Sequence, residues 1–244
     1  MAADLKNQLI DELNARLADD RAQALRERVA QKIPQLLADN GQRLSIHHWL
    51  EADDAGIGFA TATEMAAELA EGARRLFDAA LWYPGAALVR QLIECNYLLT
   101  LMADDRKEAE AWKTSSHEDI VKRFMPRHMR ERAKHGFRLS EYQTHSDVGG
   151  HPNPAGRVLL RRHDEWRPIS PRSFWLDLAQ HLAETWASFE SALPLYDPRM
   201  NPAHQLYSPA RSPEGREEIH QVLLQWRKHD PIAGRSSIPN GLAG

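Results

Sequence analysis

Between Asp78 and Asp104 the chain carries only two charged side chains, Arg90 and Glu94, one turn apart in "LVRQLIECNYLL". A stretch this long and this apolar either crosses a membrane or lies inside a folded protein. Each charge at the middle of a span would cost roughly 2–3 kcal/mol to insert, so the segment reads as a buried helix and no membrane partner is expected. A helix that is apolar on all sides must be covered by other elements. That demand constrains the fold more than any other feature of the chain.

The surrounding sequence supplies helices to do the covering. Residues 4–17 and 21–37 repeat apolar positions at helical spacing among Ala, Leu, Arg, Glu and Gln, and Pro34 is expected to bend or shorten the second. They read as a helical pair at the surface, followed by a loop holding "HHWLEADDAGIG". Residues 64–82 place Met65, Leu69, Ala73, Leu76 and Ala80 on one stripe, and "YPG" breaks that helix before the next runs from about 85 to 103. Two long helices joined so tightly form an antiparallel hairpin. Further helices are expected over 107–115, 118–134, 171–193 and 213–228. Ser170 reads as a cap and Pro171 as the first position of the 171–193 helix, which turns Phe174, Leu178, His181, Leu182, Trp186 and Phe189 inward. No run alternates as a strand does. The fold class expected is all-α: a helical bundle built on the hairpin, organised as residues 1–60, a core of 61–195, and 196–244 with its proline-rich loop, one helix and a tail.

A single cysteine, Cys95, excludes an internal disulfide, and no secretory leader is recognisable, so a cytoplasmic setting is expected. The formal net charge of −3 hides an asymmetry: residues 122–172 hold twelve Lys or Arg against five Asp or Glu. Such a region suits RNA or another polyanion, and it equally suits arginines paired with acidic helices of the same fold. The helix carrying Ile219, Val222, Leu223 and Trp226 packs either on the bundle or on a second copy, and a homo-oligomer is expected.

Motifs for phosphate loops, dinucleotide binding, nucleophile elbows and cysteine-based metal sites are absent. Within "THSDVGGHPNP", His145 and His151 could join Glu94 on a metal, but two histidines in a glycine-bearing loop are more often structural. The expectation is no metal and no cofactor.

The combination of Arg90-x-x-x-Glu94 on an apolar helix, then Tyr142-x-x-x-Ser146 and His151-Pro-Asn-Pro, resembles a bacterial family of helical proteins known only as a domain of unknown function. The likeness covers residues 66–156. It departs at His145, where the family has Leu, and in one additional residue between Ser146 and His151. The resemblance implies a polar cluster in which Tyr142, Ser146 and His151 pack over Arg90 and Glu94, either as a structural clasp or as an anion site with a proton-moving histidine. In architecture the chain also resembles the HEPN superfamily, whose ribonucleases use an Arg, then four to six intervening residues, then a His. Arg138 and His145 fit that spacing, implying phosphate stabilisation by Arg138 and proton transfer by His145. With 24 arginines and 12 histidines other pairs fit too. The reading reached is a non-catalytic oligomeric interaction module for a protein or anionic partner, with a metal-independent endoribonuclease of a toxin or phage-defence system as the alternative.

Overall fold

The computed structural model describes residues 2–133, 145, 154–160, 169–200 and 215–233. Among these the chain is all-α, with no strand. Its helices are α1 (Ala2–Leu17), α2 (Asp20–Leu50), α3 (Asp54–Asp78), α4 (Trp82–Asp104), α5 (Arg106–Lys113), α6 (His117–Asp119), α7 (Pro126–Arg132), α8 (Arg172–Tyr196) and α9 (Arg216–His229). A π-helical turn (Ile120–Phe124) joins α6 to α7, and Pro154–Leu159 forms a 3₁₀ helix. None of the described helices is long and apolar enough to cross a membrane.

The expected hairpin is present as α3 and α4, but it is one half of a larger unit. α2 runs through Pro34 without breaking and continues to Leu50. A proline inside a helix costs about 3 kcal/mol, and α2 absorbs this because Val29, Ile33, Leu37 and Leu44 are fully buried against the core. The first helix of the expected pair is present as α1, whereas the second and the loop expected after it are one central helix and a three-residue turn leading into α3. α2, α3 and α4 form a three-helix meander, and α8 lies across all three.

Both turns use the same device. Ala52 (φ 52°) follows α2 and Ala80 (φ 55°) follows α3 in the left-handed region, and the amides of Asp53 and Leu81 reach back to the carbonyls of His48 and Leu76 at 2.9 and 2.8 Å. These long reverse bonds satisfy carbonyls that a helix end leaves open.

Composition explains how closely the helices approach. α3 buries Ala55, Ala60, Ala62, Ala66, Ala70 and Ala73, so its neighbours settle near its backbone. At one end of α3, Phe77 packs with Trp82 of α4 and with Phe174 and Trp175 of α8. At the other, Phe59 stacks on Phe189 and Tyr196. α8 therefore runs antiparallel to α3 and parallel to α4. Between α4 and α8 a polar thread links the buried residues: Ser188 Oγ donates to Asn96 Oδ1 at 2.7 Å and meets Thr100 Oγ1 at 3.0 Å. Tyr196 closes it by donating to Met102 O at 3.0 Å.

α9 docks on α2 within the same chain, burying Ile219, Val222, Leu223 and Trp226. Of the two placements expected for this helix, it takes the one on the bundle.

Candidate functional site

α8 begins one residue later than the proline suggests. Ser170 Oγ accepts from Arg172 N at 3.3 Å, and Pro171 stands just ahead of the first full turn. From there Trp175, Leu178, Ala179, Leu182, Trp186 and Phe189 form the buried stripe. Asp177, His181 and Glu184 share one side of the helix because residues three and four apart lie above one another.

His145 meets this face. Its Nε2 lies 3.2 Å from His181 Nε2 and 3.3 Å from Asp177 Oδ1, and the third edge, His181 Nε2 to Asp177 Oδ1, is 3.5 Å. The two imidazole rings stand nearly edge to face, with centroids 5.0 Å apart. On its other side His181 Nδ1 meets Glu184 Oε2 at 3.2 Å. His181 is almost fully buried, His145 mostly so, and the two carboxylates are partly exposed. Two imidazole nitrogens and a carboxylate oxygen thus converge on one point, a combination able to ligate a metal ion.

The electrostatics follow from that convergence. Burial alone would lower the pKa of His181, but hydrogen bonds to Asp177 and Glu184 outweigh it and push the imidazolium up to about 10. Burial alone would raise Asp177, yet the facing His145 and hydrogen bonds from both histidines hold its carboxyl well below the usual range. A proton and a metal ion would compete for the middle of the cluster, where the lone pairs of His145 Nε2, His181 Nε2 and Asp177 Oδ1 crowd together.

Other candidates fall elsewhere. Arg90 and Glu94 pair with each other at 3.0 Å on α4, half-buried rather than deeply enclosed. Glu94 is thus drawn to Arg90, and among the described residues His145 meets Asp177 and His181. Arg138, Tyr142, Ser146 and His151 lie outside the described residues. His48 is a packing residue: it is buried, with Nδ1 2.7 Å from Asp53 Oδ2 and Nε2 2.8 Å from Tyr196 O.

Five of the described cations of this region pair with carboxylates of the same chain. Arg123 and Arg132 share Glu108 at 3.0 and 2.7 Å, Arg127 pairs with Glu131 at 2.9 Å, and Lys122 with Glu118. Arg172 reaches back to Asp20 at 2.6 Å.

Sequence reasoning missed Asp177 and Glu184 and took His181 for a core residue. The signal was available: Asp177-x-x-x-His181-x-x-Glu184 sets three titratable groups along one side of an otherwise apolar helix. It is the same anomaly that drew attention to Arg90 and Glu94. Searches against protein-family models, curated proteins and solved structures find no match.

Proposed function

We propose that this chain is a metal-binding helical protein in which His145, Asp177 and His181 hold one divalent transition-metal ion. The observation that carries the reading is the triangle of ligand atoms with edges of 3.2, 3.3 and 3.5 Å. An ion bound at about 2.0–2.1 Å with tetrahedral angles sets its ligand atoms about 3.3 Å apart, so the three side chains stand at ligating separation. Two imidazoles and one carboxylate suit zinc, ferrous iron, cobalt or nickel, whereas magnesium and calcium demand oxygen donors. A three-ligand site keeps a position for water or a substrate oxygen, and an ion there lowers the pKa of bound water and polarises a carbonyl or phosphoryl group. The reaction class supported is metal-assisted hydrolysis.

The test strips the purified protein with chelator and titrates it with Zn²⁺ or Co²⁺. One ion per chain is expected, with a rise in Tm on loading, and Asp177→Ala and His181→Ala should each remove the site. Stripped wild type that takes up neither ion overturns the reading.

A second reading, the interaction module, is supported by Ile46, Trp49 and Leu50, which are 59%, 74% and 78% exposed on the last turns of α2. In that case the ion is structural and activity is absent. The ribonuclease reading needs His145 to accept a proton from the RNA 2′-hydroxyl. It is supported by the contact of His145 with Asp177, which polarises an imidazole, and it predicts RNA cleavage that persists in chelator and disappears in His145→Ala.

A further inference from the structure

We infer that Glu184 is a positioning residue for this centre: it holds the Nδ1 proton of His181 and thereby presents the Nε2 lone pair to the ion. The inference rests on the metal reading above.

A neutral imidazole carries one proton, on either nitrogen, and only the other nitrogen can ligate. Which tautomer forms is decided by what the non-ligating nitrogen meets. In His181 the two nitrogens face different worlds. Nδ1 lies 3.2 Å from Glu184 Oε2, an acceptor with nothing to donate when ionised. Nε2 points at His145 Nε2 and Asp177 Oδ1, the two other members of the triangle. A proton retained on Nδ1 therefore leaves Nε2 free to bind, and this is the arrangement the triangle requires.

Orientation follows from the same contact. The helix places Glu184 three residues after His181 and Asp177 four before it, so the ring is held from both directions along α8. The ring is 3% exposed, which shields it from bulk solvent. Glu184 meets His181 at Nδ1, the nitrogen that is not a corner of the triangle, so its effect passes through the ring.

The experiment measures the Kd for Co²⁺ by competition with a chromophoric chelator, and the visible spectrum of the bound ion, in wild type, Glu184→Gln and Glu184→Ala. Circular dichroism and Tm of the metal-free proteins check folding. Gln keeps an acceptor oxygen, so Glu184→Gln should stay within about threefold of wild type with the same spectrum. Glu184→Ala should lose about 10–100-fold in affinity, the range typical of outer-shell partners, with altered cobalt bands as the imidazole reorients. Should Glu184→Ala not fold, Glu184→Met removes the acceptor while keeping length and helix propensity. Affinity and spectrum unchanged in the Ala or Met variant overturn the role of Glu184 while leaving the metal site standing. Equal losses in Gln and Ala also overturn it, because charge and not an acceptor at Nδ1 would then be what matters. Wild type that binds no cobalt removes both inferences together.

Discussion

Arg26 and Asp230, 204 residues apart, meet inside the protein with neither side chain exposed: Nε and Nη2 of the arginine donate to the two carboxylate oxygens at 2.6 and 3.0 Å. The carboxylate also accepts from Trp226 Nε1 at 2.8 Å and from the amide of Ile232 at 3.1 Å. The two arginine bonds tie α2 to the end of α9, while those from Trp226 and Ile232 are local to that end, so the pair helps fix where the C-terminal helix docks. A buried ion pair survives because its remaining donors and acceptors are satisfied. Here Trp226 and the Ile232 amide satisfy them.

Removing one member exposes the asymmetry of such pairs. Asp230→Ala leaves a guanidinium buried without its carboxylate and should cost about 3–5 kcal/mol, read as a shift of the denaturant midpoint. An Asp230→Ala protein as stable as wild type would show that water reaches the arginine and that α9 is held by its apolar face alone.

The same residue gives a pH dependence. Burial by itself would raise the Asp230 carboxyl, but hydrogen bonds from Arg26 and the Ile232 amide dominate and lower it below its ordinary 3.8. Asp197, held by Arg199 and Arg43 against its own burial, is lowered as well. A carboxyl depressed in the folded state binds protons more readily when unfolded, so its stabilisation is present above about pH 3.8 and is lost as the pH falls below it. Guanidinium midpoints should therefore drop between pH 4 and pH 2. In Asp230→Asn that acid-labile component should shrink; an unchanged slope against pH would assign the effect to other carboxylates.

On α4, Glu94→Ala should cost less than a deeply buried charge would. Arg90 and Glu94 are 17% and 26% exposed, a setting between surface pairs worth 0–1 kcal/mol and enclosed pairs worth several, so about 1–2 kcal/mol is expected. Urea melts of Glu94→Ala and Glu94→Gln measure it, and a loss above about 3 kcal/mol would place the pair deeper than its exposure indicates.

Much of this fold was legible because it is written in local terms. Periodicity located α3, α4, α8 and α9, but "YPG", read as the break, lies in the first turn of α4, and the turn falls at Ala79–Leu81. What escaped depended on distant partners. Nothing local tells that Pro34 sits in a helix with one face buried from Leu25 to His48, or that His47 and His48 belong to the end of α2, because the compensation comes from α3 and α8. The site was half legible for the same reason. His145 stood out in its own segment, yet its partners are 32 and 36 positions away on a helix read only for its apolar stripe. Charge in an apolar helix pointed to Arg90 and Glu94; applied equally to α8 it points to Asp177.

Gly56 tests how closely α2 and α3 meet. A Cβ added there would lie 2.0 Å from His48 Cγ, and the imidazole cannot yield easily, being held by Asp53 and by the Tyr196 carbonyl. Alanine would gain about 1 kcal/mol in helix propensity, but overpacking typically costs about 1–3 kcal/mol. Gly56→Ala should therefore be less stable than wild type in thermal melts. Greater stability would mean that the His48 ring is free to move aside.

The last expectation concerns the arginines of the cationic segment. Glu108 gathers Arg123 and Arg132, and Arg132 Nη2 also donates to Arg123 O at 2.8 Å. Both guanidinium groups lie over the Phe124 ring, at 5.3 and 5.4 Å from its centroid. Both are already engaged, two cations on one carboxylate, so contact with an RNA phosphate would require them to loosen their hold on Glu108 and on the aromatic face. Each phosphate contact adds about 0.9 to the slope of log affinity against log salt for duplexes and about 0.7 for single strands. If these two arginines bind phosphate, Arg123→Ala with Arg132→Ala should lower the single-strand slope by about 1.4. The expected result is an unchanged slope and an RNA affinity within about threefold of wild type. Any salt-sensitive binding that the double variant retains then belongs to other arginines of residues 122–172.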